Sequence, residues 1–306
     1  MRASWGDGVE YLVRSVSWTG GSPHLELLGV GEPVRSTVAL MGAELAFTVS
    51  PAGSYCTGHF VFGRTGGGGP RHCDAGRLAG TGGQCAECAS ADEFRHIHHA
   101  HRGGFVPDGL SDYVAQPHWV YIATFADASS KVGTAAHPRK RARLDEQGAV
   151  RATYLAWAES GLTARVYEDM VSDSSGIVQT KRRRAKLTAL TRPRPASEIE
   201  QAHAQAVREA SDLLRATEAV LPLEPWEPPA EHRGLTEARD AIDEYPHPLT
   251  TGDHRLTVVA MVGSAALVRV NDEDDPFVAD LGMLKGRRVI PGPVRSPAIS
   301  TQLGLF

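Results

Sequence analysis

A chain of 306 residues with 42% hydrophobic and 22% charged residues is long enough for two domains or three small ones, and too apolar for wholesale disorder. Its net charge of −4 excludes a surface coated throughout in basic residues, yet "RKRAR" (139–143) and "KRRRAK" (181–186) stand out against acidic "NDEDD" (271–275), the pattern of a local anion site. No apolar run reaches the roughly 18 residues that a membrane helix needs. The opening MRASWGDGVEYLV lacks the regions of a secretion signal, so the expected setting is cytoplasmic, with no membrane partner.

In chain order, residues 9–18, 25–28 and 37–49 read as strands, being rich in β-branched and aromatic residues and broken by Gly and Pro turns. They define an N-terminal β segment, 1–50. Residues 51–118 form a Cys/His-rich segment with few apolar runs, which needs some device other than a core to hold it. Its four cysteines, the only ones in the chain, are spaced Cys56-x16-Cys73-x11-Cys85-x2-Cys88. A Cys-x2-Cys turn places two thiolates together, and two more complete a tetrahedron around Zn²⁺. In a reducing compartment such a cluster points to metal before disulfides. His59, in "CTGH", and His72 are alternates for one thiol. Four protein ligands leave no open position for water, so this zinc is expected to be structural. "HIHHAHRGG" adds His96, His98, His99 and His101, which can be a metal-ligand set, a phosphate-contacting patch or a polar helix end; the sharper reading has one of them act beside the segment that follows.

That segment, 119–192, reads as strand 118–125, turn, strand 131–135, a basic helix opened by proline at 138–147, strand 152–158 and helix 163–172. Residues 193–248 are a helical segment and linker. "SEIEQAHAQAVREASDLLRATEAV" (197–220) carries an apolar stripe at helical period and a Ser197/Glu200 capping box. "LPLEPWEPPAEH" stops it as a linker, and "LTEARDAIDEY" suggests a shorter helix. Residues 249–306 return to strands, with Gly263 marking a turn or a bulge. The fold class expected is α+β: a small β domain closed by the strands of both chain ends around a cysteine-rich segment, a β-β-α-β-α core and one long helix.

The core, in this order and with these residues, resembles the GIY-YIG endonuclease superfamily. "WVY" with Tyr121 matches its first motif, and "KVG" its second, keeping Gly133 and placing Lys131 where the family has tyrosine. The helix arginine corresponds to Arg141 or Arg143, and the metal-binding glutamate to Glu168 in "ARVYEDMV", which Arg165 can pair with as its i−3 neighbour. The cysteine cluster ahead of "VYIATF…KVGTA…RLDEQGA" is also similar to a poorly characterised bacterial and archaeal family of domain-of-unknown-function proteins. The superfamily resemblance implies phosphodiester hydrolysis of DNA or RNA with Mg²⁺ or Mn²⁺ on Glu168, the arginine on developing charge and the tyrosines handling the attacking water. Lys131 is the departure: neutral it is a base, charged it grips phosphate. Three readings follow: a metal-dependent nuclease, a zinc-stabilised nucleic-acid-binding protein without catalysis, and a module for a small phosphorylated ligand.

Overall fold

The computed structural model describes residues 5–63, 68–80, 82–98, 106, 108–237, 240–271 and 273–299. It begins with β1 (Tyr11–Thr19), β2 (Ser22–Gly29), β3 (Arg35–Ala39) and β4 (Glu44–Val49). The apolar run 37–49 divides into two strands because Gly42 takes a φ of 69°, which lets the chain turn there. The hairpin β5 (His59–Val61) and β6 (Gly69–Arg71) follows, then α1 (Ala86–Ala91), a 3-10 turn at Glu93–His98, and α2 (Asp108–Ala115).

Next come β7 (His118–Thr124), β8 (Ser130–Ala136), a 3-10 turn at His137–Arg139, α3 (Lys140–Asp145), β9 (Arg151–Ala158) and α4 (Gly161–Ser175). Two further helices, α5 (Arg183–Thr191) and α6 (Ala196–Arg215), precede the short β10 (Glu224–Pro225) and the one-turn α7 (Arg233–Thr236). The chain closes with β11 (Gly252–Val262), β12 (Ala265–Val270), β13 (Pro276–Asp280) and β14 (Arg288–Pro291).

Strands from both chain ends share one antiparallel eight-stranded sheet, ordered β13-β12-β11-β4-β14-β1-β2-β3. Period-2 alternation points Leu45, Phe47 and Val49 of β4 inward. Val38 and Phe277, on the two edge strands, belong to the same apolar cluster, so the sheet curls around a single core. A second sheet, β10-β9-β7-β8, is antiparallel throughout. One of its faces packs Val120, Ile122, Val132 and Leu155 under Ala164 and Val171 of α4 and Ala206, Ala210 and Leu214 of α6. The other face carries Tyr121, Ala123 and Ala135 against Leu144 of α3 and Trp226. Mixed α+β architecture is therefore what the sequence folds into. Among the described residues, no helix is long and apolar enough to cross a membrane.

Local corrections are three. The helix expected to have Ser197 as its N-cap begins two residues earlier, at Ala196 behind Pro195, with no side-chain cap, because proline fixes the entry and leaves Ser197 inside the first turn. The expected helix over "LTEARDAIDEY" is a single turn, Arg233–Thr236; Arg239 lies outside the described residues, and Asp240–Asp243 are not helical. The proline-rich "linker" is structural: its Glu224 and Pro225 extend the second sheet and its Trp226 is buried, donating Nε1–H to Asp145 Oδ1 at 3.0 Å. Gly263, with a φ of 61°, makes the turn between β11 and β12, while the bulge lies elsewhere, between Val258 and Ala260.

Candidate functional site

Antiparallel pairing of β7 with β8 sets Tyr121 opposite Gly133 and Ala123 opposite Lys131, so the tyrosine and the lysine rise from one face of neighbouring strands. Glycine is required at 133. A Cβ there would lie 2.5 Å from Tyr121 Oη and 2.6 Å from its Cζ. The ring thus lies flat over the partner backbone, fully buried, and its hydroxyl has no hydrogen-bond partner of good geometry among the described residues. Burial pushes the Tyr121 phenol up, and Arg143 partly counters it.

Lys131 is 6% exposed, with Nζ 5.7 Å from the Tyr121 ring centroid and donating to the Gln179 carbonyl at 3.3 Å. Burial first, then the charges of Arg143 and Lys186, bring its pKa from 10.5 down to about 7; Glu168 acts the other way. Glu168 is buried on α4 and accepts from Arg165 Nη1 at 2.5 Å, the i,i+3 pair the sequence allows. Tyr121, Lys131, Arg143, Arg165 and Glu168 are therefore near enough for their charges to couple.

α3 decides between the two candidate arginines. Residues two apart on a helix lie about 200° apart around its axis, so Arg141 and Arg143 cannot share a face. Arg141 turns to Asp145 Oδ2 at 3.7 Å and toward Gly21 in the β1–β2 turn, away from Tyr121. Arg143 turns to Tyr121 and lines a cleft of about 410 Å³. The rest of the "RKRAR" block is engaged: Arg139 pairs with Glu146 at 2.9 Å, and Lys140 pairs with Glu224 at 2.5 Å while lying over the Trp119 and Tyr154 rings. Among the described residues Arg143 has no carboxylate partner.

The cleft has two unlike walls. Arg139, Arg143 and Arg165 form one, beside the N-terminus of α4, whose first turn holds no acidic residue. Phe60, Phe94 and Tyr113 form the other, half-buried rings linked through Phe94, which is 5.6 Å from Phe60 and 5.8 Å from Tyr113 between centroids. Tyr121, Lys131 and Glu168 lie behind the arginines and do not line it.

A divalent cation at Glu168 does not fit these residues. A hard ion needs several oxygen ligands, whereas this one buried carboxylate is taken by Arg165 and feels Lys131 as a further positive charge.

The cysteines do fit a metal. The four sulfurs lie within 4.8 Å of one another, Cys73 and Cys85 being 3.9 Å apart; sulfurs at the corners of a Zn–S tetrahedron would be about 3.8 Å apart. They can hold one ion such as zinc. Gly58, with φ at 92°, folds the first knuckle so closely that a Cβ would strike the Arg71 carbonyl, and its N–H points to Cys56 Sγ at 3.4 Å. Neither alternate joins this set: His72 pairs with Asp74 at 2.8 Å, and His59 sits in the β5–β6 hairpin with Nδ1 buried and unpartnered.

Residues 71–232 match a family model described as Protein of unknown function (DUF2797), more than half of the chain. The chain belongs to this family. No curated protein and no solved structure matches it. The DUF2797 match takes in Cys73, Cys85 and Cys88, the second sheet, α3 to α6 and all three cleft arginines, while Cys56, Phe60 and the eight-stranded sheet lie outside it.

Several cleft residues of this DUF2797 chain carry little signal in the sequence. Phe60, Phe94 and Tyr113 come from three separate elements, and His118, buried with Nδ1 2.8 Å from the Gln116 carbonyl, has no motif around it. Of the histidine cluster, His96 meets Arg95 Nε at 3.1 Å through its own Nε2; His99, His101 and the side chain of His98 lie outside the described residues. Four of the five cations of "KRRRAK" have partners within the fold, although Arg183 and Arg184 stay exposed. Lys181 pairs with Asp127, Arg183 with Asp280, Arg184 with Glu244, and Lys186 Nζ donates to the Gln147 carbonyl.

Proposed function

We propose that this protein binds nucleic acid through its phosphates, at the arginine wall of the cleft, with the cysteine set holding a structural zinc. The observation that carries the reading is Arg143: a guanidinium that has no carboxylate partner among the described residues, at a cleft it shares with Arg165 and the positive end of α4. Planar guanidinium groups suit phosphate oxygens, and helix N-termini favour anions. Zinc accounts for the order of a glycine-rich segment that has only small apolar clusters of its own.

The test is anisotropy of a labelled oligonucleotide over a salt series. Affinity should fall with salt, and Arg143→Gln should reduce the logarithmic slope by about 0.7–1. Binding that ignores salt, or a variant that binds like wild type, would refute the reading.

Phosphodiester cleavage is the second reading, favoured by Lys131. With its pKa brought down to about 7, a fraction of its amine is neutral near pH 7, in an element order like that of the GIY-YIG superfamily; because it lies behind the arginines and bonds to the Gln179 carbonyl, a base role requires that water reach it from the cleft. Since the residues do not fit Mg²⁺ or Mn²⁺ at Glu168, no step is assigned to such an ion. Mixed DNA and RNA substrates incubated with Mg²⁺, with Mn²⁺ and with a chelator separate the readings. Scission in any arm that is lost in Lys131→Met establishes cleavage; intact strands in all three leave binding alone.

A further inference from the structure

We infer that the cleft takes one unpaired nucleotide of a single strand, with its phosphate on Arg143 and Arg165 and its base against the rings carried by the cysteine segment. The inference rests on the phosphate-binding reading above and adds strandedness and the part played by the metal-holding segment.

The two walls differ in chemistry in the way a nucleotide does. One is planar guanidinium, its unpaired charge among the described residues on Arg143 while Arg139 and Arg165 pair with Glu146 and Glu168. The other presents Phe60, Phe94 and Tyr113 to the same cleft, each half-buried, with Phe94 and Tyr113 packed against the small cluster of Ile97, Leu110 and Val114. Base faces stack on such rings without regard to sequence, and phosphates meet guanidinium groups. A volume of about 410 Å³ is that of a small-molecule pocket. A duplex keeps its base faces stacked inward and cannot offer one to a wall inside so small a cleft, whereas a single strand can turn one out.

The ring wall belongs to the cysteine segment by direct connectivity. Phe60 lies four residues beyond Cys56 in β5, and Phe94 follows Cys88 by six. The two rings meet edge to face, and Phe62, in contact with both, is held by Glu93, whose carboxylate accepts from the Phe62 backbone N–H at 2.5 Å. The fold of the cysteine knuckle thus fixes where the ring wall stands relative to the arginines.

The experiment uses the full chain, its zinc content measured, with a short labelled single strand, the duplex of the same sequence, a free nucleoside monophosphate as competitor, and a single strand bearing 2-aminopurine. The single strand should bind about tenfold or more tighter than the duplex, and stacking should quench 2-aminopurine in the wild-type protein. Phe94→Leu and, independently, Phe60→Leu should weaken the single strand by about tenfold and lessen the quench, at unchanged zinc content and with little effect on the duplex. Arg143→Gln should weaken both nucleic acids. Equal affinity for strand and duplex, an unquenched probe in the wild type, or a mononucleotide bound as tightly as the strand would overturn the inference while an Arg143 effect keeps the phosphate reading. Loss of neither nucleic acid in Arg143→Gln would remove both.

Discussion

Replacing Lys131 by methionine keeps the length of the side chain and removes its charge, and the outcome depends on how the fold treats a buried amine. The drop from 10.5 to about 7, at about 1.4 kcal/mol per tenfold, makes the charged form about 5 kcal/mol worse off in the folded protein than in water. Relaxation around a real buried charge and the lost hydrogen bond to Gln179 O roughly halve this, leaving about 2–3 kcal/mol. The pH dependence fixes the sign. Below about pH 7 both folded and unfolded chains hold the proton, and wild type bears the full penalty. Between about 7 and 10.5 the folded chain sheds a proton that the unfolded chain keeps, so wild type gains stability as pH rises. Lys131→Met should therefore be the more stable protein by about 2–3 kcal/mol near pH 6, with the two converging toward pH 10. Urea unfolding followed by circular dichroism at several pH values measures this, provided the slopes match. A variant no more stable than wild type in mild acid, or a difference flat with pH, would show that the ammonium is satisfied in the fold and would refute the argument.

Gly133→Ala should destabilise by about 1–3 kcal/mol, since its Cβ would overlap the buried Tyr121 phenol; adding Tyr121→Phe should recover part of it, a coupling read by a double-mutant cycle. Cys88→Ser should lower the bound metal and expose the His59–Arg71 hairpin amides to hydrogen exchange while the eight-stranded sheet stays protected. Asp145 has its pKa raised from 3.8 to about 6, chiefly by burial, so what it contributes is present below pH 3.8 and lost as pH rises through 6. Asp145→Asn keeps an acceptor for the Trp226 indole and should be about 1–2 kcal/mol more stable than wild type near pH 8, with no advantage below pH 4; thermal melts at the two pH values check it.

What the sequence made legible follows from how local each cause is. Strands β7 and β8, α4 and the long α6 announce themselves by period and by turn residues, and the cysteine spacing announces its own cluster, because a Cys-x2-Cys turn is a short-range object. The choice between Arg141 and Arg143 was open on counting, although helical geometry alone says that only one can face the cleft; which one depends on where β1 and β2 pack. Tertiary context also explains the two basic blocks. "KRRRAK" looks like a phosphate site because its partners, Asp127, Glu244 and Asp280, are far away in sequence. Trp226 was hidden for the same reason: proline-rich flanks read as a linker, while burial of the indole against Asp145 is decided by a helix 81 residues earlier.

The same distinction bears on how the site is put together. The arginine wall comes from α3, the 3-10 turn before it and α4, where α3 and α4 pack on or beside the second sheet, and it needs no metal to be built. The ring wall hangs on a segment whose apolar content among the described residues is two small clusters, one of them the cysteines themselves. A segment with so little buried surface cannot offset the entropy of ordering its glycines by packing alone, so a metal on its thiols would contribute directly to placing the rings. It follows that chelation should spare the charge-driven, salt-sensitive part of binding and remove the part that distinguishes a single strand from a duplex. That separation is the reason for regarding the cysteine segment as half of the proposed binding site and not merely as its support.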